Sequence, residues 1–243
     1  MPDLAKNLFP RILPVIHTLC LMMPPAIVRA EQDPVHTILF GSLDAGRSSF
    51  TSAGAKVGLA GHDREGIAVL VSLGGGVRRE RGSGPASPVF LRATMLGSAL
   101  AGYQMVRPWG VAALFAGPEA TAEALAGIDA FQMLKPRVGL RLHGEVWARP
   151  SDDTLVTLTL ILGSARSDAY GRASFGYRIW GAYLGPEAAL YADRTGYLKW
   201  SVGVHATDFA LGAVSFRVSA GLQGETGEDD PCGYLTLAAW TPL

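Results

Sequence analysis

The densest group of chemically capable residues is Arg141, His143 and Glu145, spaced two apart in RVGLRLHGEVWAR (137–149). In an extended chain that spacing puts all three on one face. An imidazole beside a carboxylate, completed by a serine from a neighbouring segment, is the arrangement that activates a nucleophile. No G-x-S-x-G occurs to supply that serine, and no other spacing singles one out. The remaining histidines after residue 30, His36, His62 and His205, are scattered, and neither C-x-x-C nor H-E-x-x-H is present. No metal and no cofactor is therefore expected. GHDREG (61–66) and LGGGVRRERGSG (73–84) are glycine-rich. A phosphate loop also needs its Lys-Ser/Thr pair and a following helix, which both stretches lack, so they read as a turn and a surface loop.

Other charges repeat the two-residue spacing. Arg172 and Arg178 share a register in YGRASFGYRI (170–179), Lys199 lies on one in YLKWSVGVHA (197–206), and Arg217 on one in VSFRVSAGLQ (214–223). Lys56 and Arg92 occupy similar positions. Glu119 and Glu187 sit in two copies of Gly-Pro-Glu-Ala, within an internal echo between 102–120 and 176–188 that also shares Gly-Tyr and a Trp-Gly turn. Set against each of these registers is one of Leu, Val, Ala and Phe. Charges gathered on one face and removed from bulk water must be paired or hydrated. Two functions fit such a face: an internal network of Arg–Glu pairs, or a polar track for a hydrophilic ligand.

The elements that must position these residues are strands. Period-two alternation recurs along the chain, separated by turns rich in Gly, Pro, Asp and Ser: RPWG (107–110), RPSDD (149–153), RSD (166–168), ADRTG (192–196) and GETGEDDPCG (224–233). About twelve strands are predicted, near 36–45, 48–59, 66–77, 89–104, 110–122, 137–149, 153–166, 169–180, 182–192, 196–206, 209–223 and 233–241. Residues 78–88 and 123–136 read as longer loops, and 121–134 has the composition of a short helix as an alternative. Pro118 and Pro186 cannot donate to a ladder, so irregular pairing is expected at both.

Alternation alone does not say which face is inside. A soluble barrel hides its apolar face, and an outer-membrane barrel inverts the arrangement. Inversion is favoured by apolar registers that stay free of charge over about ten residues, the length a tilted strand needs to cross a bilayer. Aromatics near predicted strand ends point the same way: Tyr103, Trp109, Trp147, Trp180, Tyr183, Tyr191, Tyr197, Trp200 and Trp240 resemble interfacial girdles. The chain has 243 residues, 49% of them hydrophobic and 17% charged, with 30 glycines. The fold class expected is all-β: a closed antiparallel barrel of the outer-membrane type, about 12 strands, following a cleaved signal peptide.

The N-terminus supplies the export signal that such a fold requires. Lys6 and Arg11 precede ILPVIHTLCLMMPPAIV (12–28), which carries no charge, and VRA (28–30) suits cleavage after Ala30. Pro14, Pro24 and Pro25 argue against a retained anchor helix, and Thr18-Leu19 before Cys20 does not suit a lipoprotein box. The expected organisation is a signal peptide at 1–30 and one barrel domain at 31–243. Loss of that leader leaves the balance near neutral, with no basic patch for nucleic acid, and a single cysteine, Cys232.

Four strings are more specific than pattern. FGSLDAGRSSF (40–50), FAGPEA (115–120), GLRLHGEVWARPSDDTLVTLTLILGSAR (139–166) and GYRIWGAYLGPEAALY (176–191) together resemble the BcsS-type cellulose biosynthesis proteins of alphaproteobacteria, from about Phe40 to Trp240. The resemblance implies an outer-membrane barrel tied to cellulose synthesis and carries no catalytic residues. The LAAWTPL ending departs from the usual barrel finish, in which an aromatic comes last.

The expectation is then a non-enzymatic accessory that supports export of the glucan or anchors it at the surface. Its partners would be cellulose or the cellulose-export machinery, and outer-membrane lipid. The residues expected to face the lumen and meet glucan or a partner are Arg92, Glu119, Arg141, His143, Glu145, Arg172, Arg178, Glu187, Lys199 and Arg217. Tyr183, Tyr191, Tyr197 and Trp200 are candidate stacking platforms. A porin-like solute channel, a barrel hydrolase using His143 and a soluble periplasmic barrel are the alternatives.

Overall fold

A computed structural model describes residues 36–81, 89–127 and 131–243. The expected signal peptide and its cleavage site lie outside the described residues. Thirteen strands follow one another: β1 (Thr37–Ala45), β2 (Ser49–Gly58), β3 (Gly66–Arg81), β4 (Val89–Arg107), β5 (Gly110–Ala126), β6 (Phe131–Met133), β7 (Arg137–Ser151), β8 (Thr154–Gly163), β9 (Asp168–Ile179), β10 (Ala182–Ala192), β11 (Leu198–Leu211), β12 (Val214–Glu225) and β13 (Cys232–Pro242). Twelve of them form one ring in chain order, each antiparallel to its neighbours, and β13 pairs with β1 to close it. The short β6 lies on the end of β5, through Ala124↔Met133 and Ala126↔Phe131. Where all twelve strands pair around the ring none is an edge, so the ladder groups there can be satisfied without water.

The two ends of the ring differ. One end carries the two-residue turns at 108–109, 152–153, 180–181 and 212–213, the 59–65 connection and the start of β1. The other carries the connections at 46–48, 134–136, 164–167, 193–197 and 226–231 and the far ends of β3 and β5. The first is the turn end and the second the loop end. At the turn end Trp180 and Gly181 both have positive φ, 51° and 81°. That is the geometry of a tight hairpin whose twist matches its strands.

The faces follow the alternation read from the sequence. On β7, Val138, Leu140 and Leu142 point outward, Val138 at 83% exposure, while Arg141, His143 and Glu145 point in. Outward positions on other strands are Leu73, Met95, Leu114, Leu158, Leu160, Val202, Val204, Leu222 and Leu235. Inward positions hold Ser98, Gln104, Glu119, Thr157, Ser174, Thr207, Ser219 and Gln223, all buried. An apolar outside around a polar inside reverses the soluble pattern, and the strands, 9 residues or longer apart from β6, are long enough to cross a bilayer when tilted. No helix among the described residues is long and apolar enough to cross a membrane.

Several expectations are corrected. The loops predicted at 78–88 and 123–136 are partly strand: β3 runs to Arg81 and β5 to Ala126. The helix alternative for 121–134 fails because the Ala-rich run TAEALA is held as strand by pairing with β4 and β6, which overrides its local preference. The break predicted at 207–208 is a bulge within β11, where pairing shifts between Thr207 and Phe209 and Asp208 has a φ of 66°; the turn falls at 212–213, with Gly212 at 64°.

The aromatic girdle is smaller than predicted. Tyr103, Trp109, Trp180 and Trp200 are exposed. Trp147 and Trp240 instead face each other inside the ring, Tyr183 is buried, and Tyr191 and Tyr197 pack together at the loop end. The irregular pairing expected at both prolines is present. Between β4 and β5 the ladder skips Ala99 and Leu100 against Gly117 and Pro118, and between β9 and β10 it skips Gly185 and Pro186.

Candidate functional site

The interior is crossed at several levels by side chains from opposite walls. At the loop end the strands β3, β4 and β5 are the longest, and their extra length carries charge inward. Arg78 on β3 reaches Asp193, on the far side of the ring between β10 and β11, at 2.7 Å. The same guanidinium donates to Thr195 Oγ1 at 2.9 Å and lies 4.0 Å over the Tyr197 ring. Arg166 joins Asp193 at 2.8 Å and Glu123 at 3.3 Å. Arg92 pairs with Glu80 at 2.9 Å and with Glu123 at 3.2 Å, and Arg137 with Glu123 at 3.4 Å. Burial alone would raise the Asp193 carboxyl, but hydrogen bonds from Thr195 and Arg78 outweigh it and hold the group below its ordinary value.

Each echoed glutamate is the centre of a cluster, for one local reason: the preceding proline faces outward and the next residue in register faces in. Glu119 accepts from Arg141 at 3.0 Å and from the Ala165 amide at 2.8 Å, so it tethers the 164–167 connection to the wall. Glu187 Oε2 accepts from Arg217 at 2.6 Å, Arg172 at 2.7 Å and Ser219 at 2.9 Å, and its Oε1 accepts from Tyr234 at 2.8 Å. Tyr234 reaches it across Gly203 and Gly221; a Cβ on Gly203 would come within 2.6 Å of the phenol oxygen. Arg217 also donates to Thr157 at 3.2 Å and Arg172 to Ser219 at 2.9 Å, across intervening strands.

Lys56 on β2 pairs with Glu145 on β7, and His143 Nε2 lies 3.8 Å from the other Glu145 oxygen. The His143 ring meets Phe115 edge-on at 6.1 Å, and Phe115 is packed with Ala68, Leu70, Leu100 and Ala113. Among the described residues its contacts are a salt bridge and an apolar cluster, and no hydroxyl hydrogen-bonds to its ring. His205 does meet a hydroxyl, Thr207 Oγ1 at 2.7 Å, but both residues are buried against the wall. Lys199 pairs with Asp44 at 3.1 Å, and Glu225 holds Ser48 through its amide at 3.2 Å and its hydroxyl at 2.7 Å.

At the turn end Gln104 donates to the carbonyls of Gly61, His62 and Arg64, fastening the 59–65 connection against β4. Trp147 on β7 and Trp240 on β13, opposite strands of the ring, meet edge-on at 5.5 Å. Arg149 pairs with Asp208 at 2.9 Å, and Arg149 and Arg178 each lie 5.9 Å from the Tyr183 ring.

Of the residues predicted from sequence, Arg92, Glu119, Arg141, His143, Glu145, Arg172, Glu187, Lys199 and Arg217 lie inside the ring and are engaged in pairs. Arg178 lies apart, exposed at the turn end. Trp200 faces outward, opposite to the stacking role considered for it. Sequence reasoning missed Arg78, Glu123, Arg166, Asp193 and Glu225, all at the loop end. Glu123 was findable, being four residues from Glu119 and hence in the same register.

A closed antiparallel barrel with an apolar exterior and an ion-paired, side-chain-crossed interior defines a membrane β-barrel whose lumen is braced. Residues 38–243 match the family described as "Cellulose biosynthesis protein BcsS", and the chain belongs to that family. A comparison with curated protein sequences finds no match. Among solved structures the chain is similar to the KdgM porin in complex with disordered oligogalacturonate, at 9% identity over 85% of this chain and 99% of that one, with a TM-score of 0.42. It is also similar to the β domain of the Bordetella autotransporter BrkA, at 16% identity over 87% and 100%, with a TM-score of 0.43. The low-pH structure of Pseudomonas putida OprB aligns at 8% identity over 86% and 91%, with a TM-score of 0.33.

Proposed function

We propose that this protein is a non-enzymatic accessory of bacterial cellulose biosynthesis, seated in the outer membrane, that works beside the path of the glucan and is not its conduit. Membership of the cellulose biosynthesis family supplies the pathway. The observation that carries the mechanism is the pairing of opposite walls, Arg78 with Asp193 near one end and Trp147 with Trp240 near the other. A polymer threading the ring would have to break both. Arg92, Glu119, Arg141, Glu145, Arg172, Glu187, Lys199 and Arg217 brace the wall in this reading. His143 takes part through Glu145. The turn end faces the periplasm, as short turns do in barrels of this kind, so the export machinery and the glucan it carries are met there.

The test is cellulose in a clean deletion strain, measured separately in periplasm, cell surface and medium. A rise in periplasmic glucan with a fall at the surface assigns the accessory to export. A transfer from surface to medium assigns it to anchoring. Three unchanged pools would remove the protein from the pathway.

A further inference from the structure

The two ends of the barrel are not equally finished. At the loop end each inward arginine, Arg78, Arg92, Arg137, Arg141 and Arg166, has a carboxylate partner. At the turn end Arg107, on the outer rim, is likewise paired with Glu65, but the groups that face the mouth are Trp147, Trp240, Arg149 and Arg178. Trp147 and Trp240 are only partly buried, though both face inward. Arg149 has one carboxylate, Asp208, whose strained backbone sits in the β11 bulge; bulges of this kind re-aim a side chain. Arg178 makes no ion pair among the described residues, and its guanidinium lies over Tyr183.

We propose that this turn-end mouth is a binding site for the end of a linear β-linked glucan, with Trp147 and Trp240 as the ring platforms and Arg178, Arg149 and Asp208 as the hydroxyl contacts. The inference rests on the cellulose-accessory reading and adds the place of contact. Pyranose rings present apolar C–H faces and a rim of hydroxyls, and such a ligand is met by aromatic surface with a few convergent polar groups. The two indoles, edge-on to each other at 5.5 Å, offer faces in different directions, as successive units of a twisted glucan do. Arg178 can donate to hydroxyls without giving up a salt bridge. Arg149 and Asp208 supply donors and acceptors together. The braced lumen behind the tryptophans stops the chain, so an end is held and not passed through.

The experiment uses the full-length barrel in detergent micelles, titrated with cellohexaose and, separately, maltohexaose, and read by tryptophan fluorescence and calorimetry. Saturable binding of cellohexaose is expected, with weaker binding of maltohexaose. Trp147→Leu and Trp240→Leu should each weaken it about tenfold, the loss of one aromatic contact. Arg178→Gln should weaken it several-fold; because that side chain is exposed and makes no ion pair among the described residues, this variant remains informative if the tryptophan variants fail to fold. Trp180→Leu, at the fully exposed turn tip, should leave binding unchanged. Absence of saturable cellohexaose binding, or binding unaltered by Arg178→Gln and by either tryptophan substitution, overturns the site. If the deletion strain shows altered cellulose pools while cellohexaose fails to bind, the site falls and the accessory role stands. Unchanged pools would overturn the role itself.

Discussion

Glu187 shows what a single residue can hold. One buried carboxylate takes hydrogen bonds from two arginines, a serine and a tyrosine drawn from β9, β12 and β13. Removing it leaves two guanidiniums facing each other without a counter-charge. Breaking a buried pair in this way costs about 3–5 kcal/mol, so Glu187→Ala should lower the temperature at which the barrel loses its folded mobility on a detergent gel. An unchanged transition would mean that water already screens the pair. Glu119 and Glu187 were legible because the Gly-Pro-Glu-Ala echo fixes both in the chain and the alternation fixes which way they face. Asp193 and Arg78 were not. Their roles depend on which strands lie opposite across the ring, and pairing across a lumen leaves no local periodicity.

At the scale of the strand, the decisive property is parity. Leu142 and His143 are adjacent in sequence and meet hydrocarbon and lumen respectively. Leu142→Arg should therefore destabilise the barrel by about 2–4 kcal/mol if that position lies near the bilayer centre, while Leu142→Phe should be tolerated; equilibrium unfolding in lipid vesicles measures both. Equal effects would place β7 outside the membrane. Parity was readable wherever one register was charged, as in β7 and β9. It failed near strand ends: Trp147, Tyr183 and Trp240 were placed in a girdle because they are aromatic and terminal, although their registers point inward. It was also blind to the β11 bulge, where Thr207-Asp208 imitates a turn, and to the ends of β3 and β5, whose Arg, Glu and Ala residues resemble loop.

For the whole molecule, the proposed role requires a lumen held shut by side chains paired across the ring. The Arg78–Asp193 pair is robust to mild acid. Because the folded carboxyl lies below its ordinary value, the stabilisation is present above the unfolded value and is lost only as pH falls through the lower folded one. Across about pH 5 to 7 it should not weaken. Twelve strands enclose little space once such pairs are in place, since barrel diameter grows with strand number. The most direct test is the single-channel conductance of the wild-type barrel in planar bilayers across that pH range. No steady conductance is expected, with open bursts appearing when Arg78→Ala and Trp147→Ala are combined. A steady wild-type current, accompanied by passage of sugar-sized solutes into liposomes, would contradict this expectation and make the barrel a conduit.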